Sequence, residues 1–307
     1  MKTRHVLLIA KYSARYSVRG GIGLVFLLLS LSFGLLVAQA MLQPVELGAS
    51  QFAKRSRSGD QQEARQYVLE QLTERSKPVI AWMLKPSSAE PDAAADRAAD
   101  DWTDYLLDDR PGMLSAIFLI LLFGWPLVVA FGAFDLYSGD IGSRQLRYQL
   151  LRTDRSSIYF GRLLGMLATF VIVLVLLGTT VTAYMGLKLG LYPWPALLGW
   201  GAYCTLAMVV VSVPYIALCA WISTGFGSSF ASLTIASLVV SGVPLFALLG
   251  QRLHESAAYV NYVLPWGFQM RLFHHDPVQV ALAVSGCVLQ TALFLWLGYR
   301  KFTRRDL

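Results

Sequence analysis

Three carboxylates within five positions, Asp100, Asp101 and Asp104, have the composition of a calcium site or an acid–base pair. They follow no metal-ligand loop, and a solvated acidic helix face accounts for them. His254, His274 and His275, with Glu255 and Asp276, offer the nitrogen and oxygen ligands that zinc takes. Adjacent histidines on a helix point in different directions, and no third ligand follows at motif spacing, so these are read as interface residues. Cys204, Cys219 and Cys287 all lie in apolar stretches, the setting of small buried hydrophobes rather than of a disulfide framework. No G-x-x-x-x-G-K-[ST] phosphate loop occurs, and no nucleophile is paired with a base. The expectation is a chain that is no enzyme, ligates no metal and binds no cofactor of its own.

One segment concentrates charge between two uncharged runs: "FDLYSGDIGSRQLRYQLLRTDRSSIYFGR", residues 134–162, with five arginines and three aspartates. Asp135 and Tyr137 fall where the preceding apolar run ends. The stretch "GDIGSRQLRYQLLRTD" predicts a short helix that offers Ile141, Leu146, Leu150 and Leu151 to the apolar body and turns its arginines outward. A second helix restarts at "DRSSIYFGR", capped by Asp154 or Ser156. Gly161 and Gly165 form a GxxxG pair that permits close helix approach.

The elements that position this segment follow from composition. The 307 residues are 55% hydrophobic and only 15% charged, with mean hydropathy +0.51. A soluble domain carries about 25% charge, so the chain is read as a polytopic all-α membrane protein. Uncharged runs cover 20–45, 111–134, 163–187, 189–251 and 277–299. A span needs about 20 apolar residues, and the fourth run holds two, divided at "STGFGSS". Six spans result: 20–45, 111–135, 160–187, 196–222, 228–250 and 277–299. Pro126 and Pro214 lie inside spans and are read as kinks in a protein-packed interior. The basic N-terminus precedes an apolar run too long for a signal peptide, which is read as a retained span.

Six spans put both ends on one side. The segment 1–19, the 134–162 loop and the tail 300–307 together carry +10, and the rest of the chain −3. The positive-inside rule places those three regions in the cytoplasm. The net charge of +7 therefore reports topology, not nucleic acid. In segment 1–19, Val6, Ile9, Ala10 and Ser13 share a side away from Lys11 and Arg15, as in an amphipathic helix on the inner surface. Residues 46–110 are too long for a bare loop and are read as a small extracytoplasmic helical domain. Its first helix, in "GDQQEARQYVLEQLTERSK", groups Tyr67, Val68 and Leu72. Its second begins near Pro91 and has Trp102, Tyr105 and Leu106 available for packing. Residues 251–276 are neither a span nor strongly polar, and are read as an outer re-entrant or interfacial region.

The order acid, glycine, leucine-rich stretch, arginine, Gly-basic pair resembles the signature of ABC-2 type transporter permeases. The matching residues are Asp135 with Asp140, Gly142, the Leu146/Leu150/Leu151 set, Arg155 and Gly161-Arg162. Arg152 stands where the family usually has proline, and Arg162 where it often has lysine. The resemblance implies that residues 136–159 form a coupling helix seated in a separate nucleotide-binding ATPase subunit, which would hold ATP and Mg. It also implies a second permease copy or paralogue in the bacterial cytoplasmic membrane. Arg144, Arg147, Arg152 and Arg155 would meet acids on the ATPase, and Tyr148 and Leu151 would add apolar anchorage.

The spans hold no ionisable residue away from their borders, which speaks against a proton- or sodium-coupled carrier. It suits a path for an amphipathic, lipid-like or peptidic cargo, or a path formed at a subunit interface; export as the direction is what the resemblance implies. Thr179, Thr180, Thr182, Ser212, Thr224 and Ser229 are the polar residues available to line a path. The competing reading is a non-transporting membrane anchor or regulatory subunit of an ATPase-linked envelope complex.

Overall fold

A backbone that leaves water must satisfy its own amides, and helices do so within one segment. The computed structural model describes residues 3–19, 22–55, 61–84, 93–250 and 255–305, and these contain no strand. The helices are α1 (Thr3–Arg19), α2 (Ile22–Arg55), α3 (Gln61–Leu84), α4 (Ala93–Leu107), α5 (Gly112–Ala133), α6 (Ser138–Gly142) and α7 (Gln145–Leu150). They continue with α8 (Arg155–Leu189), α9 (Trp194–Ser223), α10 (Ser229–Gly250), α11 (Trp266–Gln269) and α12 (Pro277–Arg304). Two 3-10 turns, Glu255–Tyr262 and Met270–Phe273, flank α11. Among the described residues, six helices are long and apolar enough to cross a membrane: α2, α5 with its extension to Gly142, α8, α9, α10 and α12. The chain is a helical multi-pass membrane protein.

Several boundaries follow local chemistry. Asp276 accepts from the Val278 amide at 2.9 Å, and Pro277 takes the first helical position of α12. Gly190, at φ 63°, ends α8 in the left-handed conformation that glycine adopts without penalty. Other helices outrun the apolar stretches. α2 continues through Pro44 and past Glu46, because Val45 and Ala49 are buried and Gly48 meets the Val68 side chain on α3. Charge alone marked where the apolar run ended, not where the helix did. The expected start of the acidic helix at Pro91 lies outside the described residues.

The two ends of the bundle collect different elements. At one end, here the loop end, lie α1, α6, α7, the 224–228 turn and the end of α12; Ile9 meets Gly161, Gly142 abuts the Gly227 carbonyl, and Arg155 reaches Thr303. At the other, the cap end, lie α3, α4 and the 255–276 segment, where Trp102 Nε1 donates to the Phe273 carbonyl at 2.9 Å. That segment folds back along the bundle. Gln290 Nε2 donates to the Tyr262 carbonyl at 2.7 Å, roughly 20 Å along α12 from its start. Trp266 Nε1 donates to the Val240 carbonyl at 3.0 Å, tying the same segment to α10.

α1 uses its small and apolar side in an unexpected way. Val6, Ile9, Ala10 and Ser13 pack on α8, where any side chain at Gly161 or Gly165 would collide with them. α1 and α8 run parallel there, Ile9 beside Gly161 and Ser13 beside Gly165. The face left outward carries Leu7, Leu8 and Tyr12, all exposed, beside Lys11 and Arg15.

Candidate functional site

Phe134 closes α5, and its carbonyl accepts from Ser232 Oγ on α10 at 2.6 Å. The next residue, Asp135, places one carboxylate oxygen where three donors converge: Ser138 Oγ at 3.0 Å, the Gly139 amide at 2.7 Å and Ser229 Oγ at 2.6 Å. The carboxylate thus starts α6 and holds it to α10. A side chain at Gly139 would meet the Asp135 carboxylate. From the other side, Ser223 Oγ at the end of α9 accepts from the amides of Tyr137 and Ser138, both at 2.9 Å. Those backbone donors are buried, and leaving one unpaired would cost about 1–3 kcal/mol.

Tyr137 is fully buried. Its ring stacks on Tyr159 of α8 at 5.2 Å and 6°, its hydroxyl donates to the Tyr159 carbonyl at 2.7 Å, and Phe302 of α12 lies 5.4 Å away. Arg162 crosses beneath the loop. It forms an ion pair with Asp140 and donates to the Leu136 carbonyl and to Gln149 Oε1, each at 3.2 Å. One guanidinium therefore braces α6 and α7 against α8, using the planar fork that lysine lacks.

Arg155 has an equally committed place. Its Nη1 lies 2.7 Å from the Thr303 carbonyl and 2.8 Å from that of Arg305, with Phe302 at 3.5 Å. These are the last carbonyls of α12, which have no intrahelical donor and carry the negative end of the helix dipole. Arg305 Nη1 in turn donates to the Thr224 carbonyl at 2.6 Å.

The loop is therefore two short helices rather than one. Gly142 abuts the Gly227 carbonyl, and the backbone turns at Arg144, which has φ 59°. Only there does a non-glycine residue adopt the left-handed region among the described residues. After the turn Leu146 is fully buried and Leu150 is partly buried against the core. Leu151 does not join them: it is 84% exposed, and Tyr148 is 74% exposed. Arg144, Arg147 and Arg152 are exposed with them. The expected contact of Leu151 with the apolar body fails because α7 ends at Leu150 and the chain turns outward. Nor do Asp154 or Ser156 supply the expected side-chain cap to α8.

The sequence-derived residues thus fall into two sets. Asp135, Asp140, Gly142, Leu146, Leu150 and Arg155 build an internal frame with Arg162. Arg144, Arg147, Tyr148, Leu151 and Arg152 face outward. Tyr137, Ser223 and Ser232 complete the frame; the sequence placed Tyr137 only at the end of the apolar run and gave the two serines no role.

The polar residues available to line a path have separate partners. Ser212 accepts from Trp125 Nε1 at 2.7 Å inside the bundle, Thr224 donates to the Trp221 carbonyl, and Ser229 serves Asp135. Thr182 is buried, while Thr179 is exposed.

At the cap end, His274 and His275 stack at 4.4 Å, because His274 ends a 3-10 turn in extended conformation instead of continuing a helix. Trp102 lies 4.6 Å from His274, and Tyr105 6.0 Å from His275. Burial lowers the affinity of His274 for a proton; His275 and Arg271 act the same way and Asp276 opposes them. Among the described residues no three His, Cys, Asp or Glu side chains gather as a metal site; His254 lies outside those residues. Neither a protein-family model nor a curated protein matches this sequence.

Proposed function

We propose that this chain is the membrane-spanning subunit of an ATP-driven exporter of the ABC-2 permease type, with the 134–162 loop as its joint to a separate ATPase. One observation carries the reading: the loop is braced on its inner side to α8, α9, α10 and α12, while three arginines, a tyrosine and a leucine project from its outer side without covering. A surface helix tied to several spans by directional bonds moves them when it is pushed. The exposed pair Tyr148 and Leu151 supplies apolar anchorage, and Arg144, Arg147 and Arg152 supply charge for an acidic rim.

On this reading the loop and both chain ends are cytoplasmic, and α3 and α4 form a small extracytoplasmic domain. The membrane is the bacterial cytoplasmic membrane. ATP and Mg are held by the ATPase, a second permease copy or paralogue completes the transporter, and the cargo is amphipathic, lipid-like or peptidic.

The test is co-purification in lipid with the nucleotide-binding ATPase subunit proposed as its partner, comparing the native chain with Tyr148→Asp/Leu151→Asp. Both side chains are exposed, so the fold should survive, whereas Leu150 packs against the core and is a poor place to probe. Loss of association and of lipid-dependent ATP turnover, roughly a hundredfold for two anchors of about 1–2 kcal/mol each, is the expected outcome. Unchanged association in a correctly inserted variant would leave the chain as an anchor held through other contacts.

A further inference from the structure

At the cap end, α2 and α8 separate to form a cleft of about 310 Å³ lined by Gln39, Leu42, Gln43, Glu46, Leu47, Tyr184 and Lys188. Below it the same two helices are in contact. Phe26 packs on Phe170 at 4.9 Å, and Gly34 lies against Leu177 and Val181. Glu46 is the first charged residue after the uncharged run of α2, and Lys188 the first after that of α8. The cleft therefore sits where the two spans leave hydrocarbon, at headgroup depth.

Its two charges are only loosely paired. Lys188 Nζ lies 3.4 Å from Glu46 Oε1, and the side chains are 48% and 46% exposed. Charge-assisted bonds that hold a structure run about 2.7–2.9 Å. An exposed pair of this kind contributes little, so exchanging it for a ligand's own charges costs little. Arg65 on α3 donates from Nη1 to the Lys188 carbonyl at 3.2 Å, which sets a second cation at the rim beside Lys188. The apolar surface continues the site toward the membrane centre: Leu29 and Leu36, two helical turns apart on α2, are 53% and 66% exposed.

We infer that this cleft binds an aminophosphate headgroup, the phosphate at Lys188 and Arg65 and the ammonium at Glu46, with Gln39, Gln43 and Tyr184 as neutral partners. An acyl chain attached to that headgroup would lie on Leu36 and Leu29. The same chemistry occurs in a membrane phospholipid and in free phosphoethanolamine. The assignment requires only that the spans lie in a bilayer and stands apart from the coupling role of the 134–162 loop.

The experiment is native mass spectrometry of the full chain in detergent, offered equal amounts of phosphatidylethanolamine, phosphatidylglycerol and phosphatidylcholine with identical acyl chains. Phosphatidylethanolamine should be retained roughly fivefold over the other two, as one charge-assisted bond allows. Glu46→Gln should abolish its advantage over phosphatidylglycerol, and Glu46→Asp should keep it. Lys188→Gln should weaken all three. Helix content and a monodisperse profile, unchanged in these exposed-site variants, separate loss of binding from loss of fold. Displacement of the lipid by an equal concentration of phosphoethanolamine would assign a soluble ligand; resistance to it would assign the lipid, and either supports the site. Equal retention of the three lipids by the native chain, or an unchanged ratio in a folded Glu46→Gln variant, overturns it.

Discussion

The two ends of this bundle are closed by different physics. At the loop end the contacts are directional and aimed at backbone: Asp135 on the Gly139 amide, Ser223 on two amides, Arg155 on the carbonyls that end α12. At the cap end ring faces stand beside directional bonds such as that of Trp102 Nε1 on the Phe273 carbonyl. Trp102, His274, His275 and Tyr105 form a chain of ring contacts, stacked between the two histidines and tilted at either side, and Arg110 lies 5.0 Å from both the Tyr105 and the Trp200 rings. Ring contacts tolerate sliding and tilt over an ångström or more, whereas a hydrogen bond weakens steeply as its angle closes. The backbone-directed bonds of the loop end thus fix position more strictly than the ring contacts of the cap end.

The sharpest way to break this contrast is to remove one cation from each end. Arg162 has a side chain 15% exposed against an Asp140 that is 22% exposed. Arg162→Met leaves that carboxylate and the Leu136 carbonyl without their donor, at a cost on the order of 3 kcal/mol. Lys77 at the cap end meets Glu74, Asp104 and Asp108 at 2.8–3.1 Å, yet those carboxylates are 51–67% exposed. Lys77→Met should cost at most about 1 kcal/mol. Thermal unfolding in lipid nanodiscs would measure both, and 1 M salt should erase much of the Lys77 difference while sparing that of Arg162. Comparable, equally salt-sensitive shifts would mean that the ends do not differ as described. At neutral pH, titration of Lys77 itself does not confuse the measurement. Hydrogen bonds to Asp108 and Asp104 raise the Lys77 ammonium above its usual 10.5, so its contribution is complete below that value and fades only as pH rises past the raised one.

A smaller effect should appear at the cap end alone on mild acidification. His274 binds its proton less readily in the folded chain than in the unfolded one, where the ordinary value is 6.5. As pH drops toward and below that value the unfolded state takes up more protons, so stability decreases as pH is lowered until the folded-state value is passed. Opening of the clamp between α4 and the 255–276 segment should therefore rise between pH 7 and pH 5, read as a fall in protection of the amides around Trp102 after correction for the intrinsic pH dependence of exchange. His274→Phe should remove the dependence while retaining the stack. Protection that does not fall as the pH is lowered in the native chain would place the weakness elsewhere.

How far the sequence foretold this molecule varied with the kind of interaction. The six long apolar helices were legible, since a run of about 20 uncharged residues admits few other structures. The chemistry of the 134–162 loop was legible only in part. Leu146 and Leu150 read correctly as inward-facing. Leu151 did not, because helical periodicity was extended one residue beyond the helix that carries it. Arg155 looked like a surface charge; its partners are carbonyls about 150 positions away, and no local pattern reports which cation will meet the end of a distant helix. The same holds for Ser223 and Ser232, whose roles depend on α9 and α10 packing beside Asp135. The stacked histidines were misread for a local reason: the helix assumed for them is an extended turn.

The finest distinction concerns Arg144, where fold and partner make opposite demands. At φ 59° an L side chain crowds its own carbonyl, a strain on the order of 1 kcal/mol that glycine avoids. Arg144→Gly should stabilise the fold by up to about 0.5–1 kcal/mol, the gain in backbone fit being reduced by the greater freedom of glycine in the unfolded chain. Arg144→Asn, which tolerates the left-handed region, should be close to neutral. Both substitutions remove a cation from the outward face of the loop, and neither touches the frame formed by Asp135, Arg155 and Arg162. If that face seats an acidic partner, both variants should bind it a few-fold less tightly, although one is more stable than the native chain. Unfolding midpoints and partner affinity measured on the same preparations would decide the matter: affinity that follows stability would make Arg144 a structural residue, and affinity that falls as stability rises would place it in the contact.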